Sequence, residues 1–258
     1  MILDVLPREA AAFGLATSRI SGVMLAAPIL WSNAPMRVRA GLVLALAFVS
    51  HGASSGNASA LDSIEHVLMA APGEFFIGVA MGLVVRMCVA SVEIAGDIMS
   101  PLLGFGAATL FDPHTQANET PLTKLLHTLC VLLLVIMGVH RVVLAALLGS
   151  FHAIPVGTLV RPELATPDLI HLSARAIVTG LRLALPVVAT LLLVQLGLAF
   201  VSRAAPALQI FSIGFAISMV AGALVIMSSL PELAREIEVE LSQVGMRMDV
   251  VLTAMTGG

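Results

Sequence analysis

Residues 210–230 read IFSIGFAISMVAGALVIMSSL, and none of these 21 positions carries a charged side chain. A second uncharged run covers the 20 residues 183–202. Roughly 20 apolar residues are needed for a helix to cross the hydrocarbon core of a bilayer. Runs of this length are far too long for the strands of a membrane barrel. The two runs therefore predict membrane helices.

The composition supports the same class over the whole chain. Hydrophobic residues make up 59% of the 258 positions and charged residues only 11%, whereas soluble domains carry about 25% charged residues. The formal net charge of −3 argues against a nucleic-acid partner. We predict an all-α, polytopic membrane protein.

Six hydrophobic segments are predicted along the chain. They cover approximately residues 10–30, 40–49, 64–92, 122–151, 173–202 and 210–230. The last two are joined by a short connector and predict an antiparallel hairpin over about 173–230. We assign residues 1–230 to a membrane domain and residues 231–258 to an amphipathic tail, whose acidic bias favours a protein partner over anionic lipid.

The third segment predicts a polar helix face. Glu74, Gly78, Gly82 and Arg86 follow one another at i+4 spacing, and Glu93 and Asp97 return to the same side. At about 100° per residue all six lie within roughly 140° of the circumference. Intramembrane charges usually face a bundle interior or a watery cavity, so this face either lines a polar pathway or makes structural pairs with neighbouring subunits. Arg19 and Arg182 are also charged residues inside hydrophobic segments, and the same two alternatives apply to them.

No catalytic or metal-binding pattern accompanies these charges. His127 and His140 lie about 220° apart around a helix, and no known nucleophile or metal motif occurs. Cys88 and Cys130 lack metal-ligand spacing. We predict neither an enzyme nor a cofactor-binding or metal-binding protein.

The least regular part of the chain, residues 96–120, has an apolar middle over residues 102–111. An irregular apolar segment between membrane helices should be buried in protein or line a cavity.

Several stretches together resemble the FliR/SctT family of type III export-gate proteins. They begin with Arg19, continue through the helix that starts at Glu74 and the Leu110-Phe111-Asp112-Pro113 segment, and end with Arg203-Ala204-Ala205-Pro206. The other residues that match family motifs are Pro28, Pro35, Arg37, Arg39, His140 and the stretch Ser150-Phe151 with Ile154-Pro155. The pattern from residue 203 to 215 resembles flagellar members more than injectisome members.

The resemblance implies a hetero-oligomeric export gate in the bacterial inner membrane, within the flagellum basal body. A single copy of such a chain assembles with FliP-like and FliQ-like subunits, next to FlhB-like and FlhA-like proteins, and unfolded substrates pass through the pore. Family members place a plug loop across the channel, which by position is about residues 104–118 here. The implied plug residues are Gly104, Phe105, Gly106, Leu110, Phe111, Asp112 and Pro113.

This chain departs from the family pattern before the plug, where Leu102 replaces the usual Gln and Pro101 is unexpected. The alternative function is a small-solute secondary transporter, since such proteins often contain Gly- or Pro-broken helices in two related halves. Pro186 is a candidate break, but the first half shows no counterpart.

Overall fold

The computed structural model describes residues 2–27, 34–51, 64–103, 120–160, 162–204 and 210–256. Within these ranges the chain forms eight α-helices and one 3₁₀ turn, Ser100–Leu103, and contains no strand. The helices are α1 (Ile2–Ala26), α2 (Met36–His51), α3 (Ile64–Met99), α4 (Pro121–Ile136), α5 (Val139–Ala153), α6 (Pro162–Ala204), α7 (Ile210–Ser242) and α8 (Val244–Thr256). The all-α prediction is confirmed.

The predicted fourth segment, residues 122–151, is divided by the structure into α4 and α5. Gly138 caps the start of α5 with φ of +70°, a left-handed conformation that only glycine adopts at little cost. Thr120 caps the start of α4, where its side chain accepts a hydrogen bond from the backbone N–H of Thr123.

The described helices belong to two compact units. Unit 1 contains Met1–Cys88, Gly138–Ser173 and Leu241–Gly258, and unit 2 contains Val89–Met137 and Ala174–Glu240. The chain passes between units inside α3, α6 and α7 and at the start of α5. The predicted border between membrane domain and tail, at residue 231, falls within α7, which continues without interruption to Ser242.

Each unit has its own apolar core. In unit 1 the fully buried side chains include Ile20, Ile77 and Phe151, and in unit 2 they include Leu126 and Leu134. The predicted amphipathic tail has a buried apolar face, and within unit 1 α8 packs against α5. The buried residues of this face are Ile237, Leu241, Val244, Met248, Val251 and Met255.

Three helical stretches among the described residues are long and apolar enough to cross a membrane: Ile64–Leu103, Glu163–Val201 and Ala216–Met255. A fourth results if α4 and α5 count together as one broken span. The described structure therefore does not confirm six crossings. One physical reason is length, since α2 has only 16 residues and roughly 20 are needed.

Candidate functional site

The polar face predicted on α3 begins with a buried ion pair inside unit 1. Glu74 and Arg19 are both fully buried, and Nε of Arg19 donates a hydrogen bond to Oε2 of Glu74 over 2.6 Å. Arg19 lies on α1, so the pair joins the first and third helices. The carboxylate that we expected to face a pore or a neighbouring subunit is thus occupied by an arginine of its own chain.

The rest of the Arg19 guanidinium is directed at the end of α5. Nη1 donates to the carbonyl oxygen of Ser150 at 2.9 Å and to its Oγ at 3.1 Å. Nη2 donates to the carbonyl oxygen of Ile154 at 3.0 Å, and the ring centre of Phe151 lies 4.5 Å from Cζ. The carbonyl oxygen of Ser150 also accepts from the backbone N–H of Ile154 at 2.9 Å, and Ile154 is the residue that ends α5. Arg19 therefore also caps the C-terminus of α5.

Glu74 completes this cluster from the other side. Its Oε1 accepts a hydrogen bond from the backbone N–H of Gly157 at 3.0 Å, and the carbonyl oxygen of Gly157 lies 2.9 Å from Nε2 of His66. We call Arg19, Glu74, Ser150, Ile154 and Gly157 the arginine hub. Removing one partner from a buried ion pair leaves an uncompensated charge and costs about 3–5 kcal/mol. The hub therefore holds α1, α3 and the α5 terminus in one arrangement.

Glycines allow α1 and α3 to approach closely enough for this pairing. A Cβ added to Gly78 would overlap the carbonyl group of Arg19, and one added to Gly22 would overlap the carbonyl oxygen of Phe75. A Cβ on Gly82 would lie 2.6 Å from the Cβ of Ala26. The small-residue face predicted to pack against a neighbour thus packs, in the described structure, against α1 of the same chain.

The C-terminal part of the same face lies in unit 2. Asp97 Oδ1 accepts a hydrogen bond from Thr123 Oγ1 at 2.6 Å, and Oε1 of Glu93 lies 3.7 Å from Nε2 of His127. Arg86, in unit 1, is half-buried. Glu93 and Asp97 therefore contact the start of α4, and periodicity alone gave no sign of those partners.

The remaining residues of the family motifs are dispersed. Nε of Arg39 donates to the carbonyl oxygen of Ala34 at 3.0 Å, while Arg37 and Arg203 are exposed. His140 is half-buried, and its Nδ1 has no hydrogen-bond partner among the described atoms. Pro35 precedes α2, and its carbonyl oxygen accepts from the backbone N–H of Val38 at 2.9 Å.

Some predicted residues lie outside the described part of the chain. These are Pro28, Pro206 and the whole plug set Gly104, Phe105, Gly106, Leu110, Phe111, Asp112 and Pro113.

Sequence reasoning did not predict that Arg19 pairs with Glu74, or that the end of α5 contacts Arg19. Backbone acceptors such as the carbonyls of Ser150 and Ile154 have no residue-type signature. The only available signal was the Ser150-Phe151 and Ile154-Pro155 motif, which matched the family without indicating a partner. Within the described residues no group of three His, Cys, Asp or Glu side chains could hold a metal ion. The chemistry of the hub is that of a fixed structural joint.

The chain is similar to known proteins over most of its length. The model of the family described as "Bacterial export proteins, family 1" matches residues 10–244. The flagellar biosynthetic protein FliR of Escherichia coli K12 is 30% identical over 217 residues, covering 84% of this chain and 83% of that protein. The FliR proteins of Bacillus subtilis 168 and Caulobacter vibrioides CB 15 are 29% and 25% identical, over 83% and 85% of this chain and 82% and 88% of their own lengths. A match of this extent, together with the helical fold, places the chain in the FliR family of bacterial export proteins.

Proposed function

We propose that the chain is a pore-forming subunit of the type III protein export gate that builds flagella, and that it works as a multi-pass protein of the inner membrane in the flagellum basal body. The observation that carries this proposal is the family match from residue 10 to 244. Relatives that cover most of the chain are named flagellar biosynthetic proteins. The proposed role is structural and assigns no reaction to the chain.

The distribution of exposed apolar surface supports an assembly. In the apolar windows of the stretches starting at Glu163 and Ala216, only 17% and 11% of residues are buried, against 61% in the stretch starting at Ile64. Leu193, Phe200 and Leu224 are 69%, 73% and 63% exposed. Apolar surface of this extent requires lipid or protein against it. We propose that FliP-like and FliQ-like subunits cover part of it, and that FlhB-like and FlhA-like proteins adjoin the complex.

The pore requires a barrier to ions when no substrate passes. We propose that residues 104–118, with Phe105, Leu110 and Phe111 as apolar side chains, form this plug. Apolar constrictions block ions by dewetting, and the glycines at positions 104 and 106 provide backbone freedom. Unfolded flagellar proteins are the proposed substrates.

The test is purification of the tagged full-length chain from membranes of its own host in mild detergent. We expect two other small hydrophobic proteins to co-purify in molar excess over this chain, and loss of the chain to abolish both motility and secretion of flagellar proteins. A stable monomer that binds a small solute would instead support the secondary transporter and would refute the export-gate role.

A further inference from the structure

A polar groove of about 380 Å³ lies between α6 and α7, wholly within unit 2. Glu232, Glu236 and Glu240 follow at i, i+4 and i+8 on one face of α7, and Thr179 and Arg182 line the opposite wall from α6. The groove is unusual in a chain with only 11% charged residues. Its walls carry three carboxylates and one guanidinium, a formal excess of two negative charges.

Most of the charged side chains that line the groove form no hydrogen bond or ion pair within the described residues. Glu240 accepts a hydrogen bond from Thr179 Oγ1 at 3.2 Å. Arg182, Glu232 and Glu236 are exposed and make no hydrogen bond or ion pair with any residue of the described ranges. Pro186 also lines the groove and lacks an N–H, so the carbonyl of Arg182 is without its usual helical donor. Acceptors therefore outnumber donors here.

The groove lies at the edge of the apolar surface. Arg182 immediately precedes the uncharged run 183–202 of α6, and Glu232 comes two residues after the uncharged run 210–230 of α7. Each run has the length of a bilayer crossing, so in the proposed membrane-spanning arrangement the groove lies at the depth of the lipid headgroups. Anionic phosphates are repelled by three carboxylates at this depth, whereas a cation is attracted.

We propose that this acidic groove is the docking site for a Lys- or Arg-bearing helix of a neighbouring protein subunit. The basic side chain lies against Glu232 and Glu236, where charge complementarity fixes partner and register, and the partner presents a neutral or acidic residue opposite Arg182. The inference deepens the proposed function, because it assigns a contact surface within the assembly.

The first experiment places a photo-reactive amino acid at position 236 or, as a matched control, at position 238 of the full-length chain in intact host cells. Glu238 is equally an exposed carboxylate of α7 but does not line the groove. We expect position 236 to cross-link to a peptide of another subunit within one or two helical turns of a Lys or Arg, and position 238 not to reach that peptide. A cross-link to lipid alone, or the same product from both positions, would overturn the proposal.

The second experiment reverses charge. E236K should lower the amount of the cross-linked subunit that co-purifies by about fivefold or more, since one exposed ion pair is worth up to that factor and reversal adds repulsion. E238K should leave it unchanged, and reversing the partner's basic residue to Glu should restore binding to E236K.

If E236K behaves as E238K does in an assembled complex, the groove proposal fails while the export-gate role stands. If the unaltered chain never enters a complex, the proposed function fails, and the cross-linking in cells still decides the groove.

Discussion

At the scale of single residues, the arginine hub explains why two ionisable side chains can be fully buried in so apolar a chain. Arg19 donates to a carboxylate, a hydroxyl and two backbone carbonyls, and Glu74 accepts a further backbone N–H. Burial of either charge alone would cost several kcal/mol. Burial of the pair is tolerated because nearly every polar atom of the two side chains has a hydrogen-bond partner.

We expect Glu74→Ala to destabilise the protein by about 3–5 kcal/mol, because the Arg19 guanidinium would remain buried without its counter-charge. The double variant R19L/E74L should be less destabilised than Glu74→Ala, since both desolvated charges are then absent. The measurement is the thermal unfolding midpoint of the full-length chain, purified with the subunits that accompany it. Glu65→Ala, which removes an exposed carboxylate of the same helix, is the control. Equal effects of Glu65→Ala and Glu74→Ala would contradict the structural role of the hub.

A residue-scale test of the helix break uses Gly138. Its φ of +70° disfavours side chains, so Gly138→Ala should cost about 1–2 kcal/mol. The matched control is Gly149→Ala on the same helix α5, where an added Cβ would meet nothing within 4 Å. If both variants unfold at the same temperature, the left-handed conformation at position 138 is not required.

At the scale of helices, the contact between α1 and α3 depends on glycines that the sequence had grouped correctly. The i+4 spacing of Glu74, Gly78 and Gly82 did predict one shared face. It could not say which helix packs there, because a small-residue face is complementary to any close neighbour. The Met137-Gly138 break was missed for a related reason: the residues on both sides of it are helical, and a left-handed glycine is identical in sequence to a helical one.

Gly78→Ala should separate α1 from α3, because its Cβ would overlap the carbonyl group of Arg19, which belongs to helix backbone that cannot rotate away. We expect a loss of about 1–3 kcal/mol, the usual cost of overpacking. Gly73→Ala on the same helix meets nothing within 4 Å and should be neutral or stabilising by up to about 1 kcal/mol. The steady-state amount of each variant in the membrane and its unfolding temperature are the measurements. A stable Gly78→Ala variant would show that the crossing is not close-packed.

At the scale of the whole molecule, the apolar side chains of the described structure fall into two groups, those buried inside it and those exposed at its surface. The stretch that begins at Ile64 buries most of its apolar window, whereas those beginning at Glu163 and Ala216 expose theirs. Composition predicted the total apolar content but could not apportion it between interior and exterior. For that reason six hydrophobic segments gave no reliable number of crossings.

The plug proposal is tested at this scale by deleting residues 106–110. We expect the membrane to leak small ions while the other subunits still co-purify, because the apolar barrier is removed without altering the arginine hub or the acidic groove. Deleting five residues from the Gly- and Ser-containing segment 52–60 is the control, and it should leave conductance unchanged. Normal conductance after deletion of residues 106–110 would argue against the plug assignment.

The arginine hub also has a consequence for synthesis. Glu74 leaves the ribosome 55 residues after Arg19, and Ser150 leaves 131 residues after it. Ile154, the last partner of the guanidinium, follows 135 residues after Arg19, which at roughly 5–20 residues per second takes about 7–27 s. During that interval the guanidinium lacks the backbone acceptors that it has at the end of α5 in the finished protein, and part of its hydrogen-bonding capacity remains unsatisfied unless water or another protein supplies acceptors. A chain that terminates at residue 137 should therefore be degraded rapidly, although it contains both members of the ion pair.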